Sequence, residues 1–208
     1  MNVYFIRHGF SYANATHMNL VSNDFSKYVD SPLTTIGLQF SQKAGKQLKK
    51  LKLPIEVVYC SPLMRAVQTA CKMFPESKIK IISHVKELEN EEADKLANAN
   101  AKESLIKRLF PKVNINTDAL RSPQKNSTDY KKFVVFLKNR ANEGYKNIVV
   151  VTHSMYMKKH LNMHIPHNNE VVLVKYNFDT NTQTSPVSII QEGMKIGVNV
   201  PLSKFKSL

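Results

Sequence analysis

Six apolar runs of strand length, at residues 3–6, 55–59, 79–82, 148–152, 171–176 and 187–190, alternate with stretches of helical periodicity at about 34–51, 62–74, 91–109, 128–143 and 154–163. This alternation constrains the fold more than any other feature of the chain. Strands separated by crossover helices return to the same end of a sheet, and the helices must then cover its faces. The first, second and fourth runs are almost wholly apolar, as strands buried on both sides must be. The predicted fold is therefore a three-layer α/β/α sandwich with a largely parallel central sheet. At 208 residues the chain is expected to form a single domain, 1–208. Residues 90–126 are its least regular part; they read as a helical excursion plus a loop, either a lid or a decorative insertion.

In open α/β sheets the binding crevice lies beyond the carboxyl ends of the strands. Arg7 and His8 end the first strand, Ser61 and Arg65 follow the second, and Thr152, His153 and Ser154 end the fourth. If these strands are neighbours, two histidines and two arginines meet at one rim. Gly9 follows His8 and permits a sharp turn or a close approach. Ser11 and Asn14 place a hydroxyl and an amide at short spacing beyond it. Ser61 and Pro62 read as an N-cap and first helical residue, which puts Arg65 in a first turn, where the helix dipole disfavours a cation. A bound anion would remove that conflict, and phosphate is the natural candidate.

The set R-H-G (Arg7 to Gly9), D-S-P-L-T-x-x-G (Asp30 to Gly37), S-P-L-x-R-A-x-Q-T-A (Ser61 to Ala70), V-K-E-L (Val85 to Leu88) and V-V-V-T-H-S (Val149 to Ser154) resembles the histidine phosphatase, or phosphoglycerate mutase-like, superfamily. The motifs run in the family's order over most of residues 2–165. The resemblance implies a nucleophilic His8, a phosphate pocket of Arg7, Arg65 and His153, supporting contacts from Asn14 and Ser11, and Glu87 as the acid, with Glu89 as runner-up. It implies a phosphohistidine intermediate, with neither metal nor cofactor. Departures lie at Phe10, where many relatives have an acidic or amide residue, at Ser154, where glycine is usual, and in the absence of a G-x-W-E-G run after the acid. The phosphatase branch fits better than the mutases, to which F-S-K-Y-V-D-S-P-L bears a looser likeness. An inactive relative that only binds phosphorylated ligands is the third alternative.

The formal net charge of +14 favours an anionic partner, whether a phosphorylated small molecule, a nucleic acid or an acidic membrane surface; the resemblance implies no membrane but a small phosphomonoester or a phosphoprotein. Lys102, Lys107, Arg108, Arg121 and Lys125 are candidates for steering it. In the first helical segment Phe40, Ala44, Leu48 and Leu51 are expected on the buried stripe, leaving Lys43, Lys46, Lys49, Lys50 and Lys52 towards water. No nucleic-acid motif is present, so nucleic acid is not expected as partner. With neither an apolar leader nor a membrane-length stretch, a cytoplasmic location is expected. Cys60 and Cys71 are then expected as buried reduced thiols. His160, His164 and His167 offer a rival reading as a metal cluster, though Pro166 interrupts them and no acidic ligand is obvious nearby.

Overall fold

The computed structural model describes residues 1–21, 29–88, 98–121 and 129–190. Its strands are β1 (Asn2–Arg7), β2 (Val57–Cys60), β3 (Ile79–Ile81), β4 (Ile115–Asn116), β5 (Asn147–Thr152), β6 (Val171–Asn177), β7 (Thr182–Gln183) and β8 (Val187–Ile190). Its helices are α1 (Tyr12–His17), α2 (Thr35–Lys50), α3 (Met64–Met73), α4 (Glu103–Leu109), α5 (Tyr130–Asn142) and α6 (Ser154–Leu161). The sheet order is β4-β3-β2-β5-β1-β6-β7, with β8 also on β6. The pairs from β4 to β1 are parallel, and β6 joins β1 antiparallel. This is the expected α/β arrangement. β1 and β2 both pair with β5, which brings the three polar strand ends to one rim.

Period-two alternation divides β1 between two cores. Tyr4 and Ile6 join Ala44, Leu48, Met64 and Val67 on the face covered by α2 and α3, whereas Val3 and Phe5 join Phe133, Leu137, Tyr156 and Leu161 on the face covered by α5 and α6. Ile106 of α4 is buried in the first of these cores, so the described part of the 90–126 excursion is built into the fold. Of the expected helical stretch 91–109, α4 covers Glu103–Leu109 and residues 98–102 are not helical, while 91–97 lies outside the described residues.

The buried stripe of α2 differs from expectation. Phe40 and Leu51 are 37% and 48% exposed, while Ile36, Gly37, Ser41, Ala44, Gly45 and Leu48 face inward. Mostly small residues occupy that face because α2 lies close against its neighbours. A Cβ on Gly45 would stand 2.6 Å from the Met73 backbone, and one on Gly37 would stand 2.0 Å from the carbonyl oxygen of Phe10. Since the atoms beside Gly37 are all backbone, nothing can rotate aside. Gly37→Ala is therefore expected to destabilise the fold by about 1–3 kcal/mol, the usual cost of overpacking. Equilibrium urea unfolding checks this, and an unchanged midpoint contradicts it.

Candidate active site

Arg7, the last residue of β1, pairs with Thr152 across the parallel ladder. Its Nη1 donates to the Pro166 carbonyl at 2.7 Å, while its Nε is buried without a hydrogen-bond partner. Burial lowers the guanidinium pKa to about 10; the Glu87 carboxylate opposes that shift and Arg65 adds to it.

His8 comes next, 2% exposed, with its backbone fixed at both ends. Its N–H donates to Thr152 O at 2.9 Å, and Asn168 Nδ2 donates to its carbonyl at 2.9 Å. The ring's Nδ1 lies 2.7 Å from Gly9 O, which can only accept, so Nδ1 carries the proton. Nε2 is left with its lone pair, which accepts from Arg65 Nε at 3.2 Å. Burial first, then the charges of Arg65 and Arg7, hold the imidazole pKa well below its ordinary value. The result is a neutral imidazole, the form competent as a nucleophile.

Gly9 is required for close approach. A Cβ there would lie 2.4 Å from Ser41 Oγ, 3.1 Å from Gly37 O and 3.2 Å from Asn169 Oδ1. Its N–H donates to Thr69 Oγ1 at 2.9 Å, tying the end of β1 to α3.

Arg65 is 4% exposed, and its Nη2 donates to Asn98 Oδ1 at 2.6 Å. The helix that carries it starts later than expected. Leu63, not Ser61, is the N-cap, and it has no side-chain cap bond. Ser61 lies two residues earlier, with its hydroxyl 2.7 Å from His153 Nε2. A distant carboxylate takes over: Asp30 Oδ1 accepts from Met64 N at 2.7 Å. The acceptor at this helix terminus is thus supplied by the chain itself.

Burial pushes the Asp30 carboxyl up to about 7, against the Met64 N–H and the charges of Arg65 and Lys86. A raised folded-state value means stability present below the unfolded pKa, near 3.8, and lost as pH rises towards about 7. Asparagine keeps the acceptor and abolishes the titration. Asp30→Asn is therefore expected to flatten the fall in stability between about pH 4 and 8, measured by urea unfolding across that range. An identical slope in both proteins contradicts the assignment.

His153, fully buried at the N-cap of α6, lies against His8 with ring centroids 5.0 Å apart and planes at 58°. Its Nδ1 is buried without a hydrogen-bond partner. Burial, followed by Arg65 and His8, holds its pKa well below the ordinary value. Glu87 follows a short 3-10 turn at Ser83–Val85 and reaches the first turn of α6. Its Oε1 accepts from Leu88 N at 3.0 Å and from Tyr156 N at 3.1 Å. Burial nonetheless raises its pKa, against Arg65 and these N–H groups. Glu89 lies outside the described residues.

Arg7, His8, Arg65 and His153 thus converge. Ser11 and Asn14 stand beside them in a capping box for α1, with Ser11 fully buried. Asn14 Oδ1 accepts from Ser11 N and Ser11 Oγ, each at 3.1 Å, and from Asn168 Nδ2 at 3.2 Å. Asp30, Asn98 and Asn168 were missed by sequence reasoning. Asp30 stood inside a quoted motif, but nothing local ties it to α3.

Among the described residues no three histidines, cysteines or carboxylates group as metal ligands. His160 instead stacks on Tyr130, centroids 4.8 Å apart, and His164 Nε2 lies 3.7 Å from Glu170 Oε1. Cys60 and Cys71 are free and buried. Of the basic residues in the excursion, Lys107 and Arg121 pair with Glu103 at 2.6 and 2.7 Å; Lys125 lies outside the described residues. No helix among the described residues is long and apolar enough to cross a membrane.

Solved structures with similar architecture include the protein histidine phosphatase SixA complexed with tungstate, 20% identical, with a TM-score of 0.56 over 90% of this chain and 97% of that one. The ecdysone phosphate phosphatase of Bombix mori is 16% identical, with a TM-score of 0.66 over 94% and 96% of the two chains. The phosphoserine phosphatase of Entamoeba histolytica is 19% identical, with a TM-score of 0.55 over 93% and 98%. At such identities the likeness is one of fold. A stretch of 86 residues is 34% identical to the 2,3-bisphosphoglycerate-dependent phosphoglycerate mutases of Actinobacillus pleuropneumoniae serotype 5b (strain L20) and Pasteurella multocida (strain Pm70), covering 41% of this chain. That match spans only 35% of the length of these curated relatives. The sequence model of the histidine phosphatase superfamily (branch 1) matches residues 3–192, nearly the whole chain, and the protein belongs to that superfamily.

Proposed function

We propose that the protein is a metal-independent phosphomonoester hydrolase acting through a phosphohistidine at His8. One observation carries the reading: a neutral imidazole whose Nδ1 is tied to Gly9 O and whose Nε2 lone pair meets the Arg65 guanidinium at 3.2 Å. A phosphoryl group entering here takes the N–H groups of Arg65 onto its own oxygens, and this frees the lone pair for attack. Arg7 offers Nε as a further donor, and His153 Nδ1 is likewise buried without a partner. Phosphoryl transfer spreads negative charge over the equatorial oxygens, so such preorganised donors supply the largest stabilisation.

In the first step the Nε2–P bond forms as the P–O bond to the leaving group breaks, and Glu87 gives its proton to the departing alkoxide. In the second step Glu87, now a carboxylate, takes a proton from water; the water oxygen attacks phosphorus, and the P–N bond breaks to release inorganic phosphate. Its raised pKa suits it to both roles. The two free, buried thiols are in keeping with a reducing, cytoplasmic compartment.

The second reading is a phosphoglycerate mutase, which the 34% identity over 86 residues favours. Incubation with an aryl phosphate and, separately, with 3-phosphoglycerate distinguishes the two. Release of inorganic phosphate from the aryl ester is the expected result; isomerisation of phosphoglycerate without hydrolysis of either ester overturns the phosphatase reading.

A further inference from the structure

We infer that Ser61 is a positioning residue that fixes the tautomer of His153, so that Nδ1 carries the hydrogen offered to the transferred phosphoryl group. This rests on the phosphoryl-transfer reading above. Ser61 follows β2, held by its own N–H on Val151 O at 3.0 Å, and is fully buried. Its hydroxyl oxygen lies 2.7 Å from His153 Nε2 and accepts a long bond from Leu63 N at 3.4 Å. A hydroxyl has one hydrogen to give. Were Nε2 to donate to Ser61, the Ser61 hydrogen would be buried with nothing to bond, a costly arrangement. His153 Nδ1 would then turn a bare lone pair towards the phosphoryl oxygens. With Ser61 donating to Nε2 instead, every group is matched: Leu63 N–H to Oγ, Oγ–H to Nε2, and Nδ1–H to the incoming anion.

The choice of tautomer is decisive because a neutral imidazole has a single N–H, and burial together with Arg65 keeps this one neutral. The two facing histidines then hold the same tautomer for opposite purposes. His8 gives its Nδ1–H to Gly9 O and keeps Nε2 as nucleophile. His153 takes a hydrogen at Nε2 and keeps Nδ1–H as donor.

The test combines 15N NMR of the histidine side chains with steady-state kinetics on an aryl phosphate, using the full chain and its Ser61→Ala and Ser61→Thr variants. The wild-type protein is expected to show His153 protonated at Nδ1 and bare at Nε2. Ser61→Ala is expected to lose that pattern and to lower kcat by roughly 10- to 100-fold, less than the 10²- to 10³-fold for removing a direct donor. KM should change little, and Ser61→Thr, which keeps the hydroxyl, should restore both pattern and rate. A wild-type His153 protonated at Nε2 overturns the inference even if Ser61→Ala fails to fold, and so does an alanine variant with pattern and kcat unchanged. Absence of a phosphohistidine in the wild type would defeat the mechanism but leave the NMR result readable by itself, so the two failures are separable.

Discussion

His8→Ala is expected to abolish phosphate release, a loss of roughly four orders of magnitude or more, as removal of a nucleophile that works as part of a unit typically produces. The fold is expected to survive, because the backbone of this residue is held by Thr152 and Asn168, and the ring contributes its bonds to Gly9 and Arg65 and its contact with His153. An unchanged thermal unfolding transition beside a lost activity is the informative combination. The arginines alone cannot rescue the variant, since they stabilise charge on a phosphoryl group but supply no electron pair to accept it. Hydrolysis at the wild-type rate in a folded His8→Ala protein would remove the nucleophile assignment altogether.

Glu87→Gln separates the two steps. With an alkyl phosphate, whose leaving group needs a proton, the loss is expected to be about 10²- to 10⁴-fold, the usual span of general acid catalysis. With an aryl phosphate that leaves readily as its anion, the first step persists while water in the second lacks its base. A burst of one phenolate per chain followed by slow turnover is then expected. The pH profile carries the same signature. Burial raises the Glu87 pKa above its ordinary value, so the proton needed for an alkyl leaving group is retained above the usual carboxylate range and lost as pH rises through the raised value. The glutamine variant should lack that limb. A first step slowed equally on both esters, with no burst from the aryl ester, or a descending limb that survives in the variant, would assign the acid elsewhere.

The parts of this site legible in the sequence are those fixed by neighbouring residues. The apolar run of β1 stops at Arg7, so the rim position of His8 follows from strand burial alone, and the same holds for His153 after β5. What the sequence hid depends on partners far along the chain. Ser61 followed by Pro62 has every local mark of a helix start, yet its hydroxyl is claimed by a histidine 92 positions away, and Asp30 caps α3 across 34. Asn98 and Asn168 are ordinary loop amides until folding puts one on the Arg65 guanidinium and the other on the His8 carbonyl. The inward face of α2 was misjudged for a related reason. Apolar periodicity favours Phe40 and Leu51, whereas contact with the backbones of Phe10 and Met73 selects glycine at positions 37 and 45. In α1 the local signal is the Ser11 and Asn14 spacing of a capping box, and Thr34 and Asp129 are N-caps of α2 and α5 in the same local way.

The claim on which the rest depends is that the phosphoryl group passes through Nε2 of His8. Its most direct test is mass spectrometry of protein mixed with an aryl phosphate, quenched within a turnover and digested in alkali, where phosphohistidine survives. The expected result is a phosphoryl group on the peptide containing His8, approaching one per chain in Glu87→Gln and absent from His8→Ala. Turnover with that peptide unmodified in both the wild type and Glu87→Gln, or with the phosphoryl group on another residue, would contradict the account.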